Sequence, residues 1–499
     1  MATASCNLQL KLLFLLFFCH LWPCFLAAVN ISHLPGFNGE LPFRLETGYV
    51  TMDEESGAEL FYYFVESDRN PHEDPLLLWL IGGPGCSGFN GLALDMGPLR
   101  FKVDDFDGNL PTIVANPYAW TKVKILGPSS DFCPVICAHA IIFSHKRILN
   151  FQIASMIYLD WPIGTGFSYS RNDKDYFTED VHAKKLLYEF LKKWLLDHPR
   201  FLLNTFYMGG ESYGGKMATL VAHEIVEGNE EGQQPQVNIK GYLVGNAITG
   251  DKVDKNSQVP HAYGLGIIPE ELYKLIKKGC VGEDYVNPQN VFCAAHLKVF
   301  NDYLSEINSY SILDPKCSDE PPSPQENVGD GRSLEENYAQ FLTQPSIPDT
   351  SCINGDLLAN YWVNNHLVRK ALHIKEGTLG RWHRCDFNVN AYHYTRSIPT
   401  SVPYHYNLIR KGYRALVYNG DHDMKIPFLG TLKWIKSLGF SVLDPWRSWH
   451  VNDQVAGYTV LFSNNLTFAT VKGGSHVAPG KRPVQCFAMF ERWISHQVI

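Results

Sequence analysis

The chain has 499 residues, 45% of them hydrophobic, and a formal net charge of −8 at pH 7. This length and composition allow one large globular domain or two modest ones. The charges are spread along the chain without a Lys/Arg block, which excludes the basic footprint typical of nucleic-acid-binding proteins.

Residues 1–28 are predicted to be a secretory signal peptide that is removed from the mature protein. Lys11 and the apolar run Leu12 to Phe18 are followed by the small residue Ala28. A membrane anchor is the weaker alternative, because the run is short and is soon interrupted by a histidine and a proline. We expect a secreted or vacuolar protein that has no membrane segment after cleavage.

Two N-glycosylation sequons agree with passage through the secretory pathway. They begin at Asn30 (Asn-Ile-Ser) and at Asn465 (Asn-Leu-Thr), and such sequons accept glycans in surface loops of secreted proteins. Asn465 lies in a polar turn and is the better candidate. The sequence therefore predicts a glycoprotein.

Six apolar runs have the length and composition of buried parallel strands. Amphipathic helices lie between many of them, the clearest beginning near Thr178 and ending at Pro199. Alternating strands and helices predict an α/β fold with a doubly wound central sheet. The runs are Leu76 to Leu80, Met156 to Leu159, Phe206 to Met208, Tyr242 to Val244, Ala415 to Tyr418 and Phe468 to Val471.

A glycine-rich loop, Gly82-Gly83-Pro84-Gly85-Cys86, directly follows the first of these strands. A tight turn of this kind can present the Gly83 N–H as one donor of an oxyanion hole. A phosphate-binding loop is the weaker alternative, because no Lys-Ser/Thr pair follows the glycines.

The pentapeptide Gly210-Glu211-Ser212-Tyr213-Gly214 lies between a predicted strand and an amphipathic helix. This pattern is typical of a nucleophile elbow, in which a serine occupies a sharp strand-to-helix turn. The glycines allow the strand and helix backbones to approach closely. We therefore predict Ser212 as the nucleophile and the N–H of Tyr213 as the second oxyanion donor. An isolated motif of this length is common by chance, so the assignment depends on its context.

The pattern changes after about Gly250, where the chain becomes helical and loop-like. Residues 251–362 are predicted to be a cap inserted over the carboxyl edge of the sheet, where ligands bind in such folds. The hydrolase core would then comprise residues 29–250 and 363–499. Within the cap, residues 318–350 are rich in Pro, Glu, Ser and Gly, which predicts a mobile, protease-sensitive linker.

Two late loops carry candidates for the base and the acid that a serine nucleophile needs. Asp421-His422-Asp423 follows one predicted strand, and Gly473-Gly474-Ser475-His476 follows the next. The order Ser, Asp, His is that of α/β hydrolases. We prefer His476 to His422 as the base, since the glycines before it permit a tight approach. A polar turn residue is the alternative for each.

Together these motifs resemble the serine carboxypeptidase family of eukaryotes. The resemblance implies the α/β-hydrolase fold and a triad of Ser212, Asp423 and His476, which needs no metal or organic cofactor. It also implies the disulfides Cys86–Cys385, Cys280–Cys293 and Cys317–Cys352, with Cys486 unpaired. The matching stretches are Leu45 to Tyr49, Trp79 to Ser87, Gly164 to Tyr169, Gly210 to Gly214, Gly420 to Asp423 and Lys472 to His476.

Ile81 is the main departure from the peptidases of that family. They carry Asn before the segment that begins at Gly82, and this Asn helps a buried acid hold the free C-terminal carboxylate of the substrate. Glu211, the matching acid, is retained, but Ile81 has no donor. Losing a hydrogen bond to a charged group costs about 1.5–3 kcal/mol, or roughly ten- to a hundredfold in affinity. We therefore expect weak peptidase activity.

Other stretches resemble the plant branch of serine carboxypeptidase-like acyltransferases, which move an acyl group from a glucose ester to an alcohol or amine. Glu211 departs from this branch, in which Asp is common. We expect an acyltransferase of secondary metabolism with a small-molecule donor and acceptor, and a serine carboxypeptidase is the alternative. The similar stretches are Leu41 to Tyr49, Ala262 to Gly266, Gln454 to Tyr458 and His476 to Pro479.

The segment Lys124 to Ile153 has no counterpart in the family pattern. That pattern runs from the equivalent of Trp120 to Val123 directly into Ala154 to Asp160. We interpret the segment as a retained intron in the gene model. If the mature protein contains it, an inactive binding protein or a misfolded variant is a further alternative.

Overall fold

The computed structural model describes residues 29–104, 106–122, 153–317, 354–378, 380–385 and 394–499. The predicted signal peptide (1–28), the predicted linker (318–350) and all but the last residue of the predicted insert (124–153) lie outside the described residues. Within the described ranges, no helix has both the length and the apolar character needed to cross a bilayer.

An 11-stranded mixed sheet forms the centre of the described chain, in the order β1-β2-β3-β7-β4-β9-β10-β12-β15-β14-β13. Two short pairs, β5 with β6 and β8 with β11, lie outside it. The strands are β1 (Val29–Ile31), β2 (Leu45–Asp53), β3 (Ala58–Val65), β4 (Leu76–Leu80), β5 (Leu99–Phe101), β6 (Ile113–Ala115), β7 (Ser155–Leu159), β8 (Thr178–Glu179), β9 (Phe206–Glu211), β10 (Ile239–Gly245), β11 (Tyr394–Thr395), β12 (Arg414–Gly420), β13 (Val442–Val451), β14 (Gln454–Phe462) and β15 (Leu466–Val471).

Helices connect the strands and cover both faces of the sheet. The helices of the described residues are α1 (Phe89–Ala93), α2 (Asp180–Asp197), α3 (Tyr213–Glu230), α4 (Lys252–Asn256), α5 (Gln258–Gly264), α6 (Glu270–Gly279), α7 (Val291–Ser305), α8 (Gly355–Val363), α9 (His366–Ala371), α10 (Val402–Arg410), α11 (Phe428–Ser437), α12 (Ala478–Lys481) and α13 (Pro483–Ile494). One buried cluster includes residues of α2, α3 and α10. A second cluster, on the opposite face, includes residues of α1, α8 and α13.

The six runs predicted as strands form the continuous parallel section β7-β4-β9-β10-β12-β15. They read as unbroken apolar runs because helices bury both of their faces. The prediction of an α/β-hydrolase fold with a doubly wound sheet is confirmed. All six strands end at one edge, and the predicted catalytic residues follow strands of this section.

Antiparallel strands extend the sheet on both sides and were not predicted from the sequence. β1, β2 and β3 continue it beyond β7, and the hairpin β14–β13 continues it beyond β15. The hairpin turn is Asn452-Asp453, with positive φ angles of 50° and 58°, a conformation that Asn and Asp tolerate. Pro445 lies in β13, the outermost strand, where a missing N–H does not disrupt a ladder.

Helices α4 to α7 follow β10, and α5 to α7 carry a small hydrophobic cluster of their own. The disulfide Cys280–Cys293 joins the end of α6 to the start of α7, as the resemblance implied. Ile276 and Phe300 are buried in this cluster together with Met424, which belongs to the loop after β12. The helical segment therefore packs directly against the loop that holds Asp423.

Candidate active site

Ser212 occupies a strained turn between β9 and α3, with φ 54° and ψ −124°. A methyl group at Gly210 would lie 2.5 Å from the carbonyl oxygen of Gly214, and one at Gly214 would lie 2.1 Å from that of Leu80. Only glycine fits at these two positions, because the strand and the helix cross so closely. The turn sets the Ser212 side chain at the carboxyl edge of the sheet, beside the N-terminus of α3.

Asp423 and His476 form a buried pair on neighbouring loops. The Nδ1 atom of His476 lies 2.8 Å from Oδ2 of Asp423, and the two residues are 6% and 0% exposed. The backbone N–H of Lys425 donates to the other oxygen, Oδ1, at 2.7 Å. A carboxylate that accepts in this way makes Nδ1 the donor, so Nε2 keeps its lone pair and can take a proton.

The backbone of the segment predicted as the cap also holds His476. The N–H of His476 donates to the carbonyl oxygen of Tyr310 at 2.7 Å, and the Tyr310 ring meets the imidazole edge-on at 5.3 Å. Tyr310 therefore contacts the predicted base through both its backbone and its ring.

His422, the alternative base, pairs with its neighbour Asp421 instead. Its Nδ1 lies 2.6 Å from Oδ1 of Asp421, and the same oxygen accepts from the N–H of Gly473 at 2.7 Å. Asp421 therefore links the loop after β12 to the loop after β15. The geometry accordingly favours His476 over His422.

The Oγ of Ser212 makes no hydrogen bond to His476 within the described part of the chain. Such contacts are often long in the unliganded state and shorten when substrate binds. The elbow that carries Ser212 and the loop that carries His476 nevertheless belong to one site.

The charge state of His476 links it to both sides of the site. Burial opposes charge on His476, but Asp423 and Glu211, the residue before Ser212, outweigh it and raise the pKa of His476.

The two segments that carry the predicted oxyanion donors both adjoin Ser212. A methyl group at Gly82 would lie 2.6 Å from Cβ of Ser212 and 3.0 Å from its Oγ, so the glycine-rich loop passes directly over the serine. Gly83 has a φ of 109°, which favours glycine. Tyr213 is the first residue of α3, and the first N–H groups of a helix have no intrahelical acceptor.

Asp160 holds the glycine-rich loop in place and was missed by the sequence analysis. It accepts from the hydroxyl of Ser87 at 2.6 Å, from the N–H of Gly88 at 2.7 Å and from the N–H of Phe167 at 2.7 Å. Burial raises the pKa of Asp160 to about 7, although these three donors oppose the shift. Its position between the Trp79 to Ser87 and Gly164 to Tyr169 motifs was the available signal.

The disulfides agree with the implied pairing wherever the structure describes both partners. Cys86 in the glycine-rich loop is bonded to Cys385. Cys317 is also disulfide-bonded, but Cys352, its implied partner, lies outside the described residues. Cys486 is a buried free thiol.

A buried acid pair, Asp95 and Glu211, lies beside the nucleophile, and Asp95 was also missed. The two residues are 7% and 4% exposed. Burial raises the pKa of Glu211 to about 7, against the opposing charge of His476. Burial and the neighbouring Glu211 hold the pKa of Asp95 well above its usual range. A lone Asp after a short helix carried no signal in the sequence.

Asp95 and Glu211 share a side-chain hydrogen bond. Three oxygen atoms of this region have no other donor within the described residues: Oδ2 of Asp95, Oε2 of Glu211 and Oδ1 of the nearby Asn90. Each can accept a hydrogen bond, and buried polar atoms are normally satisfied in native proteins. The region is therefore suited to a ligand that donates hydrogen bonds.

Ile81 supplies no polar group to this region. It is 3% exposed, and its Cδ1 would lie 3.4 Å from a methyl group placed at Gly91. Its carbonyl oxygen accepts from Nε1 of Trp161 at 3.2 Å. The side chain thus packs into the core at a position where the resembling peptidases have a donor.

Both sequons have exposed asparagines. Asn30 lies in β1 and Asn465 in the turn before β15, with a positive φ of 63°. The side chains are accessible for glycosylation, and the modification itself stays a prediction.

The sheet order and the elbow define the protein as an α/β hydrolase. The family model "Serine carboxypeptidase" matches residues 35–126 and 151–496. Two curated relatives from Arabidopsis thaliana are similar over almost the whole chain. Serine carboxypeptidase-like 3 is 42% identical over 94% of this chain and 93% of its own length. Serine carboxypeptidase-like 16 is 41% identical over 94% of each.

A solved structure with the same fold is Kex1, described as a prohormone-processing carboxypeptidase from Saccharomyces cerevisiae. It has a TM-score of 0.66 and 20% identity, and the match covers 90% of this chain and 91% of Kex1. The family model and the two Arabidopsis relatives show that the chain belongs to the serine carboxypeptidase family. The family model leaves out residues 127–150, which lie inside the segment predicted to have no family counterpart.

Proposed function

We propose that this protein is an acyltransferase that moves an acyl group from a 1-O-glucose ester to a small alcohol or amine. The observation that supports the proposal is that the site combines an apolar residue, Ile81, with two buried acids, Asp95 and Glu211, next to Ser212. A peptidase must hold a free carboxylate at this point, which requires hydrogen-bond donors. Ile81 offers none, and Asp95 Oδ2 and Glu211 Oε2, which have no donor outside the acid pair within the described residues, are acceptors.

A glucose ester suits such a site better than a peptide. Its sugar carries hydroxyl groups, each of which donates one hydrogen bond. Donation to Asp95 and Glu211 would satisfy buried acceptors whose desolvation otherwise costs about 1–3 kcal/mol each. A substrate carboxylate would instead face a pair that retains one negative charge whenever it shares a single proton.

The proposed reaction has two halves and one acyl-enzyme. His476 Nε2 takes the proton of Ser212 Oγ, which attacks the ester carbonyl, while the N–H groups of Gly83 and Tyr213 stabilise the oxyanion. The C–O bond to glucose breaks, and His476 returns the proton to the departing sugar oxygen. The acceptor then loses its proton to His476 and attacks the acyl carbonyl. The bond between the acyl carbon and Ser212 Oγ breaks, and His476 returns the proton to Oγ.

A serine carboxypeptidase is the second candidate, and one observation favours it. The Asp95–Glu211 pair can hold a proton near neutral pH, because burial raises the pKa of Glu211 to about 7. A protonated carboxyl can donate to the carboxylate of a peptide. This would partly compensate for Ile81.

Trapping the acyl-enzyme tests the proposal. The purified protein is mixed with an aromatic 1-O-acylglucose in the absence of acceptor, quenched in acid and digested for mass spectrometry. We expect the peptide containing Ser212 to gain the mass of the acyl group, and Ser212→Ala to show no gain. Added acceptor should discharge the label. An unlabelled Ser212 peptide, with glucose ester intact, would contradict the proposal.

A further inference from the structure

Asn246 lies directly after β10, at the carboxyl edge of the sheet, and is 0% exposed. Its backbone has a positive φ of 43°, in the left-handed region that non-glycine residues seldom adopt and that Asn tolerates better than most. Its N–H donates to the carbonyl oxygen of Tyr418 in β12 at 2.8 Å. The residue is therefore fixed to the strand that leads to Asp423.

The side chain of Asn246 bridges the end of β12 and the carboxylate of Asp423. Its Oδ1 accepts from the N–H of Gly420 at 3.0 Å, and its Nδ2 lies 2.7 Å from Oδ2 of Asp423. Because the Gly420 N–H can only donate, the atom facing it must be the amide oxygen. The NH₂ group consequently points at Asp423 and donates to it.

We propose that Asn246 is a positioning residue for the triad, whose amide keeps Asp423 as an aligned acceptor for the imidazole of His476. Oδ2 of Asp423 accepts hydrogen bonds from the side chains of Asn246 and His476, and Oδ1 accepts one from the backbone N–H of Lys425. With three donors around it, the carboxylate is held in one orientation, and the His476 tautomer is set by the bond to Nδ1. The inference rests on the triad of the proposed function, and it does not depend on the identity of the acyl donor.

Other titratable groups near Asp423 come from three elements. Lys425 lies two residues further along the same loop, and its attraction to Asp423 opposes the burial that lowers the pKa of Lys425. His261 on α5 is 5% exposed, and burial lowers its pKa. His422 pairs with Asp421, and His476 pairs with Asp423. Since Asn246 itself does not titrate, a carboxyl placed there adds a new ionisation.

The test compares Asn246→Gly with Asn246→Asp, using hydrolysis of p-nitrophenyl acetate to report the triad alone. Asn246→Gly keeps the backbone conformation and removes the donor, so kcat should fall roughly ten- to a hundredfold with little change in KM. Asn246→Asp keeps the shape. Its carboxyl, when protonated, can accept from Gly420 and donate to Asp423, as the amide does.

The Asn246→Asp variant should therefore show pH-dependent rescue. Its kcat should approach the wild-type value at acidic pH and fall as pH rises, because the new carboxyl loses its proton and then repels Asp423. The pH profiles of the wild type and of Asn246→Gly should not show this fall in kcat with rising pH. If the role of Asn246 were purely structural, both variants would lose activity and Asn246→Asp would show no rescue at acidic pH. That result would overturn the inference.

Two controls separate the possible failures. Asn204 is 5% exposed and donates to the carbonyl oxygens of Pro71 and Asp74, far from the triad in the hydrogen-bond network, so Asn204→Ala should destabilise the protein without changing kcat of the folded enzyme. If Ser212→Ala still hydrolyses the ester, the triad assignment is wrong. If Ser212→Ala is inactive but Asn246→Gly has wild-type kcat, only the inference about Asn246 is wrong.

Discussion

The backbone N–H of Ala154 donates a hydrogen bond to the carbonyl oxygen of Trp120 at 3.2 Å. In a chain that joined Val123 directly to Ala154, these two residues would be four positions apart, which is the spacing of one helical hydrogen bond. Both residues are buried. The two ends of the atypical segment therefore already meet in the geometry that the shorter chain would need.

Deleting Lys124 to Ile153 should leave the fold and the active site intact. The deletion shortens the connection between Trp120 and Ala154 about eightfold. This corresponds to about three halvings of its length at about 0.6 kcal/mol each, so we expect a gain on the order of 2 kcal/mol in the free energy of unfolding. Urea unfolding of the full and shortened proteins measures it. Transcripts that join Val123 to Ala154 would support the retained-intron interpretation, whereas peptides from the segment in the native protein would refute it.

Replacing the nucleophile should abolish turnover without unfolding the protein. Ser212→Ala removes only Oγ and keeps the elbow, so the melting temperature should stay close to that of the wild type. Acyl transfer and ester hydrolysis should both drop by at least a thousandfold, since no acyl-enzyme can form. Steady-state kinetics on folded protein checks this, and substantial remaining turnover would show that Ser212 is not the nucleophile.

Restoring a donor at position 81 should raise peptidase activity. Ile81→Asn places an amide beside the acid pair, and a regained hydrogen bond to the substrate carboxylate corresponds to roughly ten- to a hundredfold in kcat/KM for a blocked dipeptide. Ile81→Leu is the matched control, because it keeps an apolar side chain. Equal rates in the two variants would mean that Ile81 does not limit this reaction.

Glu211 should make the protein less stable as pH rises. Its pKa is raised from 4.5 to about 7 in the folded state, so between these values the folded protein binds more protons than the unfolded chain. Its contribution to stability is therefore fully present below about pH 4.5 and is lost as pH rises through 7. The raised pKa of Asp95 acts in the same direction.

Unfolding by urea at about pH 5 and about pH 8 measures this effect. Glu211→Gln cannot titrate, so the difference in the free energy of unfolding between the two pH values should shrink. Glu55→Gln, at an exposed turn, should keep the wild-type difference. An unchanged difference in Glu211→Gln would contradict the raised pKa.

The parallel half of the fold could be predicted because its strands are short, mostly apolar runs, several of which end in glycine-containing loops. The antiparallel additions could not be predicted so directly. β3 is buried along its whole length, so its residues carry no alternation that distinguishes a strand from a buried helix. The Asn452-Asp453 turn was the readable signal for the last hairpin.

The residues of the candidate site likewise fall into those that the sequence predicted and those that only the structure revealed. Ser212 and His476 lie in local motifs that a sequence displays directly. Asp95, Asp160 and Asn246 act through contacts with residues distant in sequence, and single polar residues near strand or helix ends look like ordinary turn residues. Only the folded chain brings Asn246 to Asp423, which lies 177 positions further along.

A competition assay tests the central claim most directly. The secreted protein, with and without Lys124 to Ile153, receives pooled aromatic glucose esters with candidate alcohol and amine acceptors, and separately a blocked dipeptide, with Ser212→Ala as the control. We predict ester-dependent acyl products that require Ser212, with little or no dipeptide cleavage. Cleavage of the dipeptide without any acyl transfer would contradict the account and identify a carboxypeptidase.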